Sequence, residues 1–154
     1  MKRMLVFDAE LCGGCLSCQT NCAQRNEGAS GLVNARLRLA LSPFDGNYRL
    51  TYCRQCKRAL CAEACPVGAI ALRPEGYWDV DYAACIGCNA CLAACPFGAM
   101  LYDPLGDKVI KCHTCQGDPA CAAVCPTGAL AWLDAGEIAA RRARQKSAQE
   151  VGAR

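Results

Sequence analysis

Cysteine is the residue type with the most chemical potential in this chain, because sixteen thiols occur among 154 residues. They fall into four groups of four, with no cysteine left over. Two groups follow the spacing C-x2-C-x2-C-x3-C, and the other two have a longer gap before the third cysteine. In chain order the groups are Cys12, Cys15, Cys18 and Cys22; Cys53, Cys56, Cys61 and Cys65; Cys85, Cys88, Cys91 and Cys95; and Cys112, Cys115, Cys121 and Cys125.

Such a density of cysteine indicates disulfides in an exported chain or bound metal in an intracellular one. The opening segment, MKRMLVFDAELC, lacks the hydrophobic region and the cleavage site of a signal peptide. We therefore expect a cytoplasmic protein that binds metal. Eight disulfides are the less favoured alternative.

The spacing of the cysteines predicts cubane 4Fe-4S clusters, because C-x2-C-x2-C-x3-C-P is the ligation run of bacterial ferredoxins. Three closely spaced thiolates converge on one cube, and the fourth, a helical turn further on, points to a neighbouring cube. The groups should therefore work in pairs. Spacing alone leaves the pairing open, since groups three and four are close in sequence and could serve each other.

Zinc is the main alternative metal, and it would need four thiolates from two C-x2-C pairs. A triplet that places three ligands within seven residues is not typical of zinc modules. The chain has a single histidine, His113, so mixed cysteine and histidine sites are also disfavoured.

The segments around the cysteines predict an α+β fold of short β-hairpins and short helices. A β-prone run precedes each group, and a Pro-x-Gly turn with a second β-prone run follows groups two to four. The repeating unit is a strand, a cysteine loop, a helical turn and a strand. Group one departs from it, because Ala23 replaces the proline and residues 23–47 form a polar insertion. We expect a surface loop there, with a partner-docking element as the alternative.

The last segment, residues 134–154, predicts a basic C-terminal helix. Asp134 and Glu137 have the spacing of a capping box. The helix that follows is rich in alanine and arginine without a strong apolar face, so we expect a solvated tail. Nucleic-acid binding is disfavoured, because the basic residues lack interleaved aromatic side chains.

Composition also indicates that something other than side chains fills the interior. Leu, Ile, Val and Phe make up less than a fifth of the chain, which is too little for an ordinary core. Residues 83–102 carry no charge, but Gly87, Pro96 and Gly98 argue against a membrane span. The formal charge is +3, and four clusters at about −2 each would bring the loaded protein to about −5.

At these motifs the chain resembles the four-cluster ferredoxin-like subunits of molybdenum and tungsten oxidoreductases and of formate hydrogenlyase systems. The similarity covers about residues 4–133 and all sixteen cysteines. It implies tandem ferredoxin-like modules within residues 1–133, with groups one and four forming one module and residues 48–107 the inner one. The implied cluster ligands are Cys12, Cys15, Cys18 and Cys125; Cys22, Cys112, Cys115 and Cys121; Cys53, Cys56, Cys61 and Cys95; and Cys65, Cys85, Cys88 and Cys91.

The resemblance implies an electron-transfer subunit, and it is closest to the small iron–sulfur subunit of tungsten aldehyde oxidoreductase. The implied partners are a tungsten- or molybdenum-pterin catalytic subunit and a flavin- or NAD-binding subunit or ferredoxin, with self-association conceivable. The alternatives are a hydrogenase or formate dehydrogenase subunit and a free polyferredoxin.

Two other classes of function remain open: a catalytic cluster enzyme and a protein that uses clusters only as structural staples. An enzyme is disfavoured, because four cysteines for each cube leave no open iron. His113 is expected to be a donor to sulfur or a surface residue. Lys57, Arg58 and Lys111 lie beside ligands, where they would tune a cluster, guide docking or simply be solvated.

Overall fold

A short strand precedes every cysteine loop in the computed structural model, which describes residues 3–28 and 31–152 and the side chains as far as residue 147. Each predicted β-prone run before a group forms a strand, and so does each run after groups two to four. The described elements are β1 (Met4–Phe7), α1 (Ser17–Glu27), β2 (Leu37–Leu41), β3 (Tyr48–Tyr52), α2 (Leu60–Glu63), β4 (Ile70–Leu72), β5 (Trp78–Val80), α3 (Ala90–Ala94), β6 (Met100–Asp103), β7 (Lys108–Lys111), α4 (Ala120–Ala123), β8 (Leu130–Leu133) and α5 (Ala135–Gly152).

The strands pair as four antiparallel two-stranded ribbons: β1 with β8, β2 with β3, β4 with β5, and β6 with β7. The first ribbon joins the two ends of the cysteine-bearing region, with Met4 opposite Leu133 and Phe7 opposite Leu130. The helices pair in a matching order: α1, the first, packs on α4, the helix before β8, and α2 packs on α3 between them. We call β1, α1, β2, β3, α4 and β8 the outer half, and α2, β4, β5, α3, β6 and β7 the inner half.

Each half has its own small core, in which cysteines contribute much of the buried surface. The outer core contains Leu5, Leu37, Leu50 and Leu130 together with Cys22, Cys112 and Cys121. The inner core contains Ile70, Val80, Met100 and Val109 around Cys91. Neither core is large, as the low content of bulky residues predicts.

Residues 23–47 differ from the predicted surface loop. Helix α1 continues to Glu27, and β2 then forms a ribbon with β3. The amide of Gln19 ties this segment to α1, because its Nε2 donates to Leu32 O at 2.9 Å and its Oε1 accepts from Leu39 N at 2.9 Å. Ala35 and Leu37 are fully buried. The loop prediction was wrong because the burial depends on these contacts rather than on local polarity.

Glu27 links the insertion to the inner half through a partly buried ion triad. Its carboxylate lies 3.2 Å from the Arg36 guanidinium and 2.8 Å from Lys108 Nζ. Lys108 begins β7, so one carboxylate connects α1, the insertion and a strand of the inner half. Tyr52 adds a second tie within the outer core, because its hydroxyl donates to Leu5 O at 3.0 Å.

The C-terminal helix begins with the predicted capping box. Asp134 N donates to Glu137 Oε2 at 2.8 Å, and Glu137 N donates to Asp134 Oδ1 at 2.9 Å. The first turns are not solvated as expected, because Ile138 is buried and Arg141 donates to Asp8 Oδ2 at 3.3 Å. The predicted tail is therefore docked on the outer half at its start. The last two residues of the chain lie outside the described part.

Candidate metal centres

The structure brings the sixteen cysteines into four quartets, each with three members from one group and one from another. In the first quartet, Cys18 lies near Cys12, Cys15 and Cys125. Burial raises the pKa of the Cys18 thiol to about 11, and the charges of Cys125, Cys15 and Cys12 add to the rise. The other three quartets each line a cavity: Cys22, Cys112, Cys115 and Cys121; Cys53, Cys56, Cys61 and Cys95; and Cys65, Cys85, Cys88 and Cys91.

The quartet of Cys53, Cys56, Cys61 and Cys95 surrounds an open space rather than a single point. The cavity at Cys53 and Cys95 has a volume of about 240 Å³ and is lined mainly by apolar groups. Within residues 3–28 and 31–147, no three His, Cys, Asp or Glu side chains are grouped closely enough to hold one metal ion. Four thiols around a cavity are a donor set that suits an iron–sulfur cube, whose irons are ligated by cysteine thiolates.

A left-handed residue directly before the second cysteine of each group turns the loop. Glycine fills this position in groups one and three, where Gly14 and Gly87 both have φ of +70°. Gln55 and Thr114 fill it in groups two and four, with φ of +49° and +57°. Left-handed backbone costs a non-glycine residue about 1–2 kcal/mol, and a β-branched residue such as Thr114 rarely adopts it. The sequence shows this turn only where glycine marks it.

The fourth cysteine of every group accepts a backbone N–H bond on its sulfur. Ala69 N donates to Cys65 Sγ at 3.2 Å, Ala99 N donates to Cys95 Sγ at 3.3 Å, and Leu130 N donates to Cys125 Sγ at 3.3 Å. In these three groups the Pro-x-Gly turn delivers the donor, with a left-handed glycine that bonds the cysteine carbonyl.

Group one has no such turn, yet its fourth cysteine receives the equivalent bond. Arg36 N donates to Cys22 Sγ at 3.3 Å. The donor comes from the insertion, fourteen residues along the chain. This is a role for residues 23–47 that the sequence did not reveal, because no local motif marks it.

The buried thiols have elevated pKa values in the metal-free chain. Burial raises the pKa of Cys112 to about 12, and the nearby charges of Cys22, Cys53 and Cys115 push in the same direction. Burial likewise raises the pKa values of Cys22 and Cys121. These thiols would be protonated at neutral pH without metal, so cluster binding must displace their protons.

The three cationic residues next to ligands occupy different environments. Lys57 and Arg58 are exposed, and Arg58 forms an ion pair with Glu63 at 2.7 Å. Lys111 is only 1% exposed, and its Nζ donates to Cys53 Sγ at 2.8 Å. The charges of Lys57 and Arg58 are therefore exposed to solvent, whereas Lys111 is buried and donates to the sulfur of Cys53.

Among the described residues, His113 donates to no cysteine sulfur; it accepts a hydrogen bond from a loop amide instead. It is half-buried, and its Nδ1 accepts from Cys115 N at 3.0 Å. Burial and the nearby Arg36 lower its pKa, which favours the neutral ring that such an acceptor requires. The Tyr77 ring packs edge-on against it, with ring centroids 6.0 Å apart. His113 holds the loop of group four in place.

Taken together, the fold and the thiol quartets define an iron–sulfur protein of the electron-transfer class. The profile of the 4Fe-4S dicluster domain family matches residues 52–99 and 84–129, which together make up half of the chain. The chain belongs to the 4Fe-4S dicluster domain family. The matched ranges contain groups two, three and four, and group one lies outside them.

Relatives of this chain include a ferredoxin-like protein, an electron transport protein and a dehydrogenase subunit. The uncharacterized ferredoxin-like protein YdhY of Escherichia coli K12 is 36% identical over 104 residues, which cover 58% of this chain and 50% of that protein. The electron transport protein HydN of the same strain is 36% identical over 93 residues, covering 57% and 53% of the two chains. The NADH-dependent phenylglyoxylate dehydrogenase subunit beta of Aromatoleum evansii is 34% identical over 89 residues, covering 54% and 20%.

The chain therefore matches about half the length of the first two relatives and a fifth of the third. Among the described residues, no helix has both the length and the apolar character needed to cross a membrane. The uncharged stretch at 83–102 instead forms the third cysteine loop, α3 and the start of β6.

Proposed function

We propose that this chain carries four 4Fe-4S clusters and relays electrons between a catalytic subunit and an electron acceptor or donor. The proposed ligand sets are the four quartets described above, and the proposed modules are the outer half and the inner half. The observation that carries the proposal is the mixing of groups, because each quartet takes its fourth cysteine from a different group. Neighbouring clusters are thereby tied to the same cysteine loop.

An electron relay needs clusters that are neighbours, and a cysteine loop shared by two quartets makes their clusters neighbours. Cys18 and Cys22 lie one helical turn apart on α1 but face different quartets, and Cys61 and Cys65 do the same around α2. An iron–sulfur cluster supplies one-electron redox chemistry when bound, with a potential set by charge, burial and hydrogen bonds to sulfur. The protein contributes the backbone N–H bonds to Cys22, Cys65, Cys95 and Cys125.

The catalytic partner that we propose is a tungsten- or molybdenum-pterin subunit, most specifically of an aldehyde oxidoreductase. A flavin- or NAD-binding subunit or a ferredoxin would take the other end of the relay. The likeness to a dehydrogenase subunit supports the partnership in general terms. The likeness to HydN, named an electron transport protein, equally favours a free carrier as the second candidate.

Purification under anaerobic conditions from its native source tests the assignment. The proposal predicts a complex that contains tungsten or molybdenum, in which aldehyde reduces the clusters. Recovery of a lone chain that exchanges electrons with ferredoxin would favour the free carrier. A loaded chain whose clusters do not change oxidation state under any reductant would contradict electron transfer altogether.

A further inference from the structure

Lys111 is the most deeply buried charged side chain near the thiol quartets. It ends β7, where Val109, Ile110 and Lys111 are all buried in succession. Its side chain lines the cavity formed by Cys53, Cys56, Cys61 and Cys95. Its Nζ donates to Cys53 Sγ at 2.8 Å and to Cys112 O at 3.5 Å.

A buried ammonium group needs a compensating negative charge, because its transfer from water is costly. The ion pairs found among the described side chains do not include Lys111. Its described partners are a ligand sulfur and a carbonyl oxygen. The counter-charge that this site offers is therefore the thiolate quartet and the cluster that it would hold.

Lys111 also lies where two quartets approach each other. It immediately precedes Cys112, which belongs to the quartet with Cys22. Gln55 spans the same gap, because its backbone N–H donates to Cys53 Sγ at 3.4 Å and its Nε2 donates to Cys112 O at 2.7 Å. Two side chains thus connect the cysteine loops of groups two and four, which belong to different halves.

We infer that Lys111 raises the reduction potential of the cluster at Cys53, Cys56, Cys61 and Cys95 and makes it the electron sink at the junction of the two halves. Reduction adds one electron and no proton, so a fixed positive charge beside the sulfur favours the reduced state. Net charge and hydrogen bonds to sulfur are established determinants of cluster potential. The inference rests on the proposed function, since it requires that this quartet hold a cluster.

The test is a redox titration of the loaded chain with dithionite as reductant, followed by electron paramagnetic resonance. K111M removes the charge. We expect it to reduce the equilibrium constant for the highest-potential step by tenfold or more, which is about 59 mV for a one-electron couple. K111R keeps the charge and should therefore have a reduction potential close to that of the wild type.

K57M is the matched control, because Lys57 also adjoins a ligand of the same quartet, Cys56, but is exposed. Solvent and salt screen its charge, so its shift should be much smaller. A shift in K111M no larger than that in K57M, or a shift to higher potential, would overturn the inference.

Iron and sulfide content separates this inference from the proposed function. If wild type lacks four clusters, the proposed function fails. If K111M loads like wild type without a shift, only the role of Lys111 fails. If K111M does not load, K111Q replaces it, because the amide keeps a donor to Cys53 and lacks the charge. The same expected and contradicting shifts then apply to K111Q.

Discussion

The backbone N–H of Arg36 donates to Cys22 Sγ at 3.3 Å and so completes a bond that the other three groups build with a Pro-x-Gly turn. This contact explains why the insertion is part of the core. The side chain of Arg36 adds the ion pair with Glu27 at 3.2 Å. The insertion therefore belongs to the binding site of the quartet that contains Cys22.

Removing this N–H bond should weaken the cluster site at Cys22. R36P deletes the donor, and the extended backbone of Ala35, with ψ of 143°, is compatible with a following proline. A hydrogen bond to a charged group is worth about 1.5–3 kcal/mol, so we expect a loss of unfolding free energy of that size. Denaturant unfolding followed by the visible absorbance of the clusters measures it.

R36Q is the control for that experiment, because it keeps the backbone N–H and loses only contacts of the guanidinium, namely the ion pair with Glu27 and the bond to Lys111 O at 3.5 Å. It should lose less stability than R36P and retain all its iron. Equal losses in the two variants would show that the side chain, not the N–H bond to Cys22, carries the effect of Arg36.

Gly14 and Gly87 occupy equivalent turns but have different surroundings. A Cβ at Gly14 would overlap the Tyr48 ring, whereas a Cβ at Gly87 would meet nothing within 4 Å. G87A should cost only the left-handed backbone, about 1–2 kcal/mol, and G14A should cost more. Chemical unfolding of both variants measures the difference, and G14A/Y48A should return to the cost of G87A plus that of Y48A alone. An equal cost for G14A and G87A would contradict the contact with Tyr48.

The C-terminal helix should detach when Asp8 is neutralised. Asp8 is buried and accepts from both Arg141 and Gln145. D8N should expose the bonds after Arg141 and Arg142 to trypsin and speed their cleavage severalfold. D118N, which affects the exposed pair with Arg25, is the control and should leave the cleavage rate near wild type. Unchanged cleavage in D8N would contradict the role of Asp8, and would leave the docking to Ile138, to the bond from Arg141 to Gly128 O and to the ion pair of Arg3 with Glu137.

Removal of the clusters should unfold both halves. The two cores contain few bulky residues and rely on buried cysteines, so metal binding should supply much of the folding free energy. Treatment with an iron chelator under reducing conditions should abolish the cooperative thermal transition in circular dichroism. A metal-free chain that keeps a cooperative transition would contradict this view of the core.

The sequence predicted the local elements well, because their signals are local. The strands around each loop, the short helices and the capping box of Asp134 and Glu137 all follow from nearby residues. The burial of Lys111 could not be predicted from the sequence, since Lys57 also adjoins a ligand and is exposed. Its contact with Cys53 joins residues 58 positions apart. The turns at Gln55 and Thr114 were also hidden, because neither residue type favours left-handed backbone.

The central claim is that clusters occupy all four quartets, and chemical analysis of anaerobically prepared protein tests it most directly. With sixteen cysteines and four ligands for each cube, the account predicts about sixteen irons and about sixteen acid-labile sulfides per chain. A content near eight of each, or zinc in place of iron, would contradict it.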